Sequence, residues 1–359
     1  MERQNTALAM LALLQQPAFC AENGMIFCVN DAAQQLQIAP DTQVMDILQT
    51  GKEEYAHFSE GCLYLTIVLS GCQFSASVTK VNTFDVFVLE HEDYSLHLQP
   101  LALAAKELRA PLAGIMAITD MLLPALEQTK NPKTAQQVAQ LNRNLYQIQR
   151  MVGNMSDSGR LSANPSVRLE TREIISILQE ILEKIEDIAT GKEITFHYTL
   201  PQQSMYCLVD SQLIERAVYN LISNAIKFTP AGGYIDIRLA QQNNHLYLSV
   251  TNTGEIPSEL QNHVFTRYLR NPSIEDSRYG IGLGMVIIRA AATAHGGTVL
   301  VEQPEKHCVR ITMTINMAKN DTILRSNIHN VDYAGEHSHL LVELSDCLDA
   351  DYYHPISEN

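Results

Sequence analysis

The sequence has 359 residues, of which 46% are hydrophobic and 18% charged, so it is long enough for two or three domains and is unlike a disordered chain. A formal net charge of −15, from 25 basic and 40 acidic residues, argues against direct binding to nucleic acid. The apolar run at residues 7–14 is far shorter than the roughly 20 residues of a membrane-spanning helix, so we expect no membrane span and a cytoplasmic protein. The seven cysteines include no Cys-x-x-Cys pair, which indicates reduced thiols rather than disulfides or a zinc site.

Residues 8–92 carry the signals of an antiparallel sheet. The turn sequence Asn23-Gly24 predicts a hairpin between strands at 17–20 and 25–30. Further strand-like runs cover residues 63–69, 74–78 and 84–89, and we predict small helices on one side of the sheet. The segment 23–33 is similar to the opening of PAS sensor domains, which implies a PAS-like sensor domain whose signal or ligand the sequence does not name.

Residues 93–160 show the strongest helical periodicity in the chain, because apolar residues recur in steps of three and four through two segments. The first stripe is Leu98, Leu101, Ala105, Leu108, Leu112, Ile115, Thr119 and Leu122, and the second is Val138, Leu141, Leu145, Ile148, Val152 and Met155. This pattern predicts two antiparallel helices that pair with a second copy into a four-helix bundle, and therefore a homodimer. Packing of the hairpin on a neighbouring domain of its own chain is the alternative that the pattern leaves open.

Residues 165–318 alternate helices with strands, which predicts a mixed sheet with helices on one face. Helices are expected at 171–189, 211–227 and 283–294, and strands at 193–199, 205–209, 233–240, 245–251, 297–303 and 308–315. Asn220 and Asn224 stand four residues apart, which places both on one face of the second helix. The sequence Gly-Ile-Gly-Leu-Gly at 280–284 lets the backbone come close to a phosphate at the start of the third helix.

Residues 105–112, Ala-Lys-Glu-Leu-Arg-Ala-Pro-Leu, resemble the phosphoacceptor segment of sensor histidine kinases, His-Glu-Leu-Arg-x-Pro-Leu. In that family the exposed histidine attacks the γ-phosphate of ATP, and the acidic residue after it orients it or takes its proton. Glu107 matches the acidic residue, whereas Lys106 stands in place of the histidine. A neutral imidazole with an ordinary pKa of about 6.5 has a free nitrogen lone pair, but an exposed alkylammonium has none. The resemblance therefore implies a member without self-phosphorylation, in which Lys106 is a candidate clamp for the γ-phosphate.

The order of elements in residues 165–318, together with Ala-His-Gly-Gly at 294–297, is similar to the GHKL ATPases, which include gyrase, heat-shock protein 90 and histidine kinases. This resemblance implies an α/β sandwich that binds ATP and Mg²⁺. It assigns Mg²⁺ to the side-chain oxygen of Asn224, with Asn220 and Lys227 near the phosphates. The other residues that it assigns to ATP are Asn252, Gly254, Arg270, Gly280, Gly282, Leu283 and Gly284.

The first glycine box departs from the family pattern Asp-x-Gly-x-Gly. Asn252 replaces the aspartate that accepts a hydrogen bond from the adenine amino group, and Gly254 is followed by no second glycine. An amide oxygen still accepts that bond without charge assistance, at a cost on the order of 1 kcal/mol. We therefore expect ATP binding to be weakened rather than lost.

The sequence as a whole predicts an α+β multidomain protein: a sensor domain, a dimerisation hairpin, an ATP-binding domain and an acidic tail at 319–359. The tail carries an apolar patch at 339–344, for which docking on the ATPase sheet or a partner and disorder of its end are the alternatives. The leading hypothesis is a sensor histidine kinase-like protein of two-component signalling, with a response regulator or a heterodimeric histidine kinase as partner. A non-enzymatic dimeric scaffold and another GHKL-type ATPase are the alternatives.

Overall fold

The computed structural model describes residues 2–91, 95–127, 131–163, 167–256, 283–317 and 338–354. Its first unit is a five-stranded antiparallel sheet in the order β2-β1-β5-β4-β3. The elements are α1 Glu2–Ala12, β1 Ala18–Glu22, β2 Met25–Val29, α2 Asp31–Gln35, α3 Val44–Ile47, α4 Lys52–Ala56, β3 Cys62–Leu69, β4 Cys72–Val81 and β5 Phe84–His91. The five predicted strands are all present, with α2, α3 and α4 between β2 and β3.

The hairpin turn between β1 and β2 follows from its two central residues. Asn23 and Gly24 have φ angles of 51° and 76°, in the left-handed region that this turn needs. Beyond β2, the Asn30 Oδ1 accepts hydrogen bonds from the backbone N–H of Ala33 at 2.9 Å and of Ala18 at 3.0 Å. This one side chain caps α2 and fixes the start of β1.

Two long helices form the predicted hairpin: α5 Ser95–Glu127 and α6 Pro132–Ala163. They bury only part of each apolar stripe against one another. Ala105, Leu112 and Thr119 are buried, whereas Leu108 and Ile115 are 46% and 51% exposed. The buried and the exposed members each recur at an interval of about seven residues, so each helix presents two apolar seams of which one is covered.

The third unit contains every element predicted for residues 165–318. The elements are β6 Glu170–Glu173, α7 Ile174–Gly191, β7 Thr195–Thr199, β8 Tyr206–Val209, α8 Ser211–Phe228, β9 Tyr234–Gln242, β10 His245–Thr253, α9 Leu283–Ala294, β11 Val299–Glu305 and β12 Cys308–Asn316. β7 pairs in parallel with β9, and the β11-β12-β10-β9 pairs are antiparallel, which makes the sheet mixed as predicted. The short strand β6 pairs with β8 in a separate two-stranded sheet that the sequence did not predict.

The first and third units share one continuous sheet of ten strands, because β3 pairs antiparallel with β11. Arg289 of α9 lies behind this junction, 4% exposed, with its guanidinium 3.8 Å above the ring of Tyr64. Its Nη2 donates to Tyr64 Oη at 2.8 Å and to Glu90 Oε2 at 2.9 Å. Burial acts to lower the pKa of Arg289, but Tyr64 and Glu90 outweigh it and raise that pKa, so the guanidinium stays charged. The sequence had indicated two separate sheets.

The last described segment, residues 338–354, contains a short helix α10, His339–Glu343, and a 3-10 helix, Ala350–Tyr353. These elements contact α6 and α8, so this part of the predicted tail is packed on the rest of the molecule. Leu344 and Leu348 are completely buried, and Tyr353 is 3% exposed. Among the helices that the structure describes, none is both long and apolar enough to cross a lipid bilayer.

Candidate functional site

Helix α8 is the platform of the candidate site. It begins at an N-cap, Asp210, whose Oδ1 accepts from the backbone N–H of Leu213 at 3.1 Å. The backbone N–H of Asp210 in turn donates to Nε2 of His295 at 2.9 Å, and the other ring nitrogen of His295 lies 2.6 Å from the carbonyl oxygen of Ala291. Burial lowers the pKa of His295, which keeps the ring neutral and able to accept through Nε2. The histidine of Ala-His-Gly-Gly thus fixes the start of α8 against the end of α9.

Asn220 is 1% exposed, in the middle of α8. Its Nδ2 donates to the carbonyl oxygen of Arg216 at 2.8 Å, and its Oδ1 accepts from Nη2 of Arg150 on α6 at 3.2 Å. A Cβ atom on Gly284 would lie 2.8 Å from Asn220 Oδ1, so only glycine fits at this point of α9 without displacing the amide. The third glycine of the predicted box therefore meets the first predicted asparagine directly.

Asn224 and Lys227 follow on the same helix. Asn224 is half-buried, and its Nδ2 lies 3.8 Å from Sδ of Met285 in the first turn of α9. Its amide oxygen accepts no hydrogen bond from any described residue, so it is available to a ligand. Lys227, in the last turn of α8, pairs with the carboxylate of Asp346 at 3.5 Å.

Asn252 and Gly254 lie where β10 ends, beside the C-terminal end of α8. Asn252 is 5% exposed, and its Nδ2 donates to the carbonyl oxygen of Thr253 at 3.0 Å. A Cβ on Gly254 would lie 3.4 Å from the carbonyl oxygen of Phe228, the last residue of α8. The end of β10, α8 and the start of α9 therefore surround one region of the molecule. Arg270, Gly280 and Gly282 lie outside the described residues.

Lys106 and Glu107 are exposed on α5. Arg109, one turn on, donates through Nη2 to Ser156 Oγ of α6 at 2.7 Å, which ties the acceptor-like segment to the second helix of the hairpin. The hairpin meets α8 through α6, where Arg216 donates to Asn154 Oδ1 at 2.6 Å. The structure thus brings together the described residues that were predicted to bind ATP. It places Lys106 on the exposed surface of α5, beside α6.

A charge cluster beside Asn220, whose members Arg150, Arg216 and Glu343 are buried, was not predicted from the sequence. Its cations are Arg150, Arg216 and Lys227, and its carboxylates are Asp157, Glu343 and Asp346. The one signal in the sequence was an arginine on the apolar face of a helix, since Arg216 interrupts the buried face of α8 and Arg150 falls between two apolar positions of α6. A buried cation of this kind needs a partner, but periodicity does not identify which carboxylate supplies it.

The residues at this site fit a nucleoside triphosphate with Mg²⁺. The start of α9 offers backbone N–H groups and the positive end of a helix dipole, which suit phosphate. The free amide oxygen of Asn224 is a hard ligand of the type that Mg²⁺ prefers. The contact between Gly284 and Asn220 shows how closely the backbone of α9 approaches α8 here.

Comparison with known proteins agrees with this geometry. The family described as histidine kinase-, DNA gyrase B- and HSP90-like ATPase matches residues 209–319, which include α8, β9, β10, α9, β11 and β12. The adaptive-response sensory kinase SasA of Microcystis aeruginosa (strain NIES-843 / IAM M-2473) is 28% identical over 216 residues. Residues 209–319 thus match a GHKL-type ATPase domain, and the chain is similar to sensor histidine kinases.

The chain spans about half the length of the curated relatives that it matches. The SasA alignment covers 58% of this chain and 56% of that protein, and the sensor protein kinase PmrB of Pseudomonas aeruginosa is 27% identical over 55% of this chain and 40% of its own. Full-length ShkA in complex with AMPPNP has a similar fold, with a TM-score of 0.50 and 22% identity over 63% of this chain and 47% of that chain. The family match to residues 209–319 confirms the predicted GHKL ATPase domain.

Proposed function

We propose that the chain is a sensor histidine kinase-like protein of two-component signalling that binds ATP with Mg²⁺ and does not phosphorylate itself. One observation carries the proposal. The ATPase residues Asn220, Asn224 and Gly284 come together at the start of α9, while Lys106 stands exposed at the acceptor position of the neighbouring hairpin. The protein thus keeps the parts for holding a nucleotide and lacks the nucleophile that would use it.

In the proposed function each side chain has a separate task. The oxygen of Asn224 binds Mg²⁺, and the first turn of α9 faces the phosphates. Asn252, at the end of β10, accepts a hydrogen bond from the adenine amino group. Bound ATP supplies a phosphoryl group that the family's histidine accepts, and this chain has Lys106 instead of that histidine. Glu107, which in the family pattern assists the histidine, is left without that role.

The exposed heptad positions support a homodimer. On α5, Leu108, Ile115 and Leu122 are 46%, 51% and 53% exposed, and on α6 both Leu141 and Ile148 are 44% exposed. These residues form one apolar seam on each helix, next to the seam that the hairpin already covers. A second copy of the hairpin would bury both seams in the predicted four-helix bundle.

The absence of a histidine at position 106 leaves two kinds of partner for this protein. A chain that binds ATP without accepting phosphate either acts as an ATP-gated switch for a response regulator, or phosphorylates a histidine on the other subunit of a heterodimer. The N-terminal sheet serves as its PAS-like sensor domain in this proposal. The cytoplasmic location predicted from the sequence is supported by the seven cysteines, all of which are free thiols and six of which are buried.

The test combines nucleotide binding with phosphoryl transfer. Fluorescent ATP is titrated into the protein with and without Mg²⁺, and the protein is then incubated with γ-labelled ATP alongside the variants Lys106→His and Lys133→His. We expect Mg²⁺-dependent binding by all three proteins and acid-labile labelling of Lys106→His alone. Lys133 is an exposed lysine of α6 outside the acceptor segment, so it controls for a new surface histidine.

Three results would contradict the proposal. Labelling of the unchanged chain would show that another side chain accepts phosphate. Absence of nucleotide binding would favour the non-enzymatic scaffold. Steady ATP hydrolysis without phosphoprotein would favour another GHKL-type ATPase.

A further inference from the structure

Residues 338–354, called the C-terminal strap below, lie between the hairpin and the ATPase domain. The strap contacts both α6 and α8. On the α6 side, Gln147 Nε2 donates to the carbonyl oxygen of Ser345 at 3.0 Å, and Asn142 Nδ2 donates to that of Tyr353 at 3.1 Å. The ring of Tyr353 lies 5.2 Å from that of Tyr146. The strap therefore holds the ATPase domain against the second helix of the hairpin.

Two carboxylates of the strap enter the charge cluster beside Asn220. Glu343 is completely buried, with Oε1 3.1 Å from Nε of Arg216 and Oε2 3.5 Å from Nε of Arg150. Asp346 lies 3.0 Å from Nη1 of Arg150 and 3.5 Å from Nζ of Lys227. With the strap in place, the three cations of the cluster face three carboxylates. Without it, only Asp157 of those carboxylates would remain, and the cluster would carry an excess of two positive charges.

The contacts of Arg150 with the strap are close in distance but poor in geometry. Its Nε and Nη1 are buried and make no hydrogen bond to any residue that the structure describes, although carboxylate oxygens of Glu343 and Asp346 lie within ion-pair distance. Glu343 Oε2 is likewise buried without a hydrogen-bond donor. Buried N–H groups of this kind bind an anion better when its oxygens meet them in line. The strap thus neutralises the charge of the cluster, but it leaves these buried N–H groups and this carboxylate oxygen without hydrogen bonds to described residues.

The cluster adjoins the candidate nucleotide site. Arg150 is bonded through Nη2 to Asn220, whose amide faces Gly284 at the start of α9. Lys227 also lies on α8, two turns after Asn220 and three residues after Asn224. Two of the cations that the strap neutralises are therefore linked to the helix that carries Asn220 and Asn224: Arg150 through its bond to Asn220, and Lys227 as a residue of α8.

We propose that this cluster is an anion-binding site with two alternative occupants, the carboxylates of the strap and the phosphates of a nucleotide. Docking of the strap and binding of the nucleotide then compete for Arg150 and Lys227. Linkage makes the effect reciprocal, because a strap that weakens nucleotide binding by a given factor is itself loosened by the nucleotide by the same factor. The strap would reinforce the direct contacts between the ATPase domain and α6 when nucleotide is absent, and it would be displaced when nucleotide binds. This inference rests on the proposed ATP-binding function.

The test compares two single-charge changes on the same segment. Asp346→Asn removes the carboxylate that pairs with Arg150 and Lys227, whereas Asp349→Asn removes one that pairs only at the surface with Lys192, 3.2 Å away. Dissociation constants for fluorescent Mg·ATP are measured for the full chain and for both variants. We expect Asp346→Asn to bind about fivefold more tightly or better, which is the lower end of common coupling factors, and Asp349→Asn to bind as the unchanged chain does. Equal affinities for Asp346→Asn and the unchanged chain would overturn the proposal.

Hydrogen exchange provides a readout that does not depend on a variant. Peptides covering 338–354 should exchange faster when Mg·ATP is added, because the nucleotide displaces the strap. Slower exchange, or no change at saturating nucleotide, would overturn the proposal. The same measurement on Glu343→Gln, which keeps the shape of the buried side chain, should show faster exchange of the strap before any nucleotide is added.

Inorganic triphosphate separates this inference from the proposed function. If ATP binds to none of the proteins but triphosphate still accelerates exchange of the strap, the anion site stands and the ATP-binding function fails. If ATP binds to every variant with the same affinity and the strap stays protected, the ATP-binding function stands and the inference fails.

Discussion

Arg150 of α6 donates a hydrogen bond through Nη2 to Oδ1 of Asn220 on α8, over 3.2 Å, and both side chains are almost completely buried. This bond links the hairpin of α5 and α6 to the helix that carries the predicted nucleotide ligands. It also means that the position of α6 and the state of Asn220 cannot change independently. The hairpin and the ATPase domain are thus joined at the residues on which the proposed function depends.

Removal of the Arg150 guanidinium should destabilise the protein strongly. Arg150→Met leaves the buried carboxylate of Glu343 with one cation fewer, and loss of one partner of a buried ion pair costs about 3 kcal/mol or more. Urea denaturation should show this as a lower free energy of unfolding. The matched control Lys192→Met breaks an exposed pair with Asp349 and should cost less than about 1 kcal/mol. Similar losses in the two variants would show that the Arg150 cluster contributes no more than a surface pair.

The stability of the ten-stranded sheet should depend on Arg289 in the same way. Arg289→Met leaves Glu90, 7% exposed, buried opposite Tyr64 without its cation, and we expect a loss of about 3 kcal/mol in the free energy of unfolding. The double variant Arg289→Met, Glu90→Met removes both charges and should recover part of that loss. The double variant could instead be less stable than Arg289→Met, by the full cost of a second core substitution. In that case the buried pair would not be the reason for the loss of stability.

Gly284→Ala should disturb the candidate site from within. The new Cβ would lie 2.8 Å from Asn220 Oδ1, so either α9 or the Asn220–Arg150 bond must shift, at a cost of about 1–3 kcal/mol. We expect lower thermal stability and weaker binding of fluorescent Mg·ATP. Gly114→Ala is the matched control, because a Cβ at this exposed position of α5 would meet no atom within 4 Å. There the substitution should raise stability by about 0.5–1 kcal/mol and leave nucleotide binding unchanged.

The neutral state of His295 predicts a pH dependence of stability. Burial lowers the pKa of His295 in the folded protein, so as the pH falls the unfolded chain takes up this proton before the folded chain does. The stability that depends on the neutral ring is therefore fully present above about pH 6.5, the usual pKa of an unfolded histidine, and is lost as the pH falls toward the folded-state pKa.

The measurement is the slope of the unfolding free energy between pH 7.5 and pH 5. His295→Gln should lose up to about 1.4 kcal/mol per pH unit of this slope relative to the unchanged chain. His57→Gln, which replaces an exposed histidine on the first unit, should keep it. An unchanged slope in His295→Gln would show that His295 is protonated equally in both states.

Sequence periodicity predicted most elements of this fold because they are specified locally, although it missed α1 and β6. Asn23-Gly24 fixes its own hairpin turn, and the apolar spacing of α8 fixes both the helix and the common face of Asn220 and Asn224. The family pattern then identified the role of α8, which neither spacing nor composition could supply.

The sheet junction and the charge cluster could not be predicted in this way, because they depend on which surfaces meet in three dimensions. The sequence of β3 does not indicate that β11 is the strand with which it pairs. The apolar patch 339–344 indicated a buried surface, but it did not identify α6 and α8 as the surfaces that cover it. Arg150 and Glu343 are far apart in the chain, and only the folded structure shows that they pair.

The uncovered seam of the hairpin leads to the last prediction. Ile115 lies on α5 among the exposed heptad positions, 51% exposed in the single chain, and a homodimer would bury it. Ile115→Lys should therefore convert the dimer to a monomer in sedimentation equilibrium, because a charge in the centre of a helical bundle costs several kcal/mol when unpaired. Leu13→Lys, at a residue that is 85% exposed near α1, changes charge and apolar area in the same way and should leave the dimer intact. A monomeric unchanged chain would contradict the prediction, since the seam would then be stable in water and the hairpin would need no second copy.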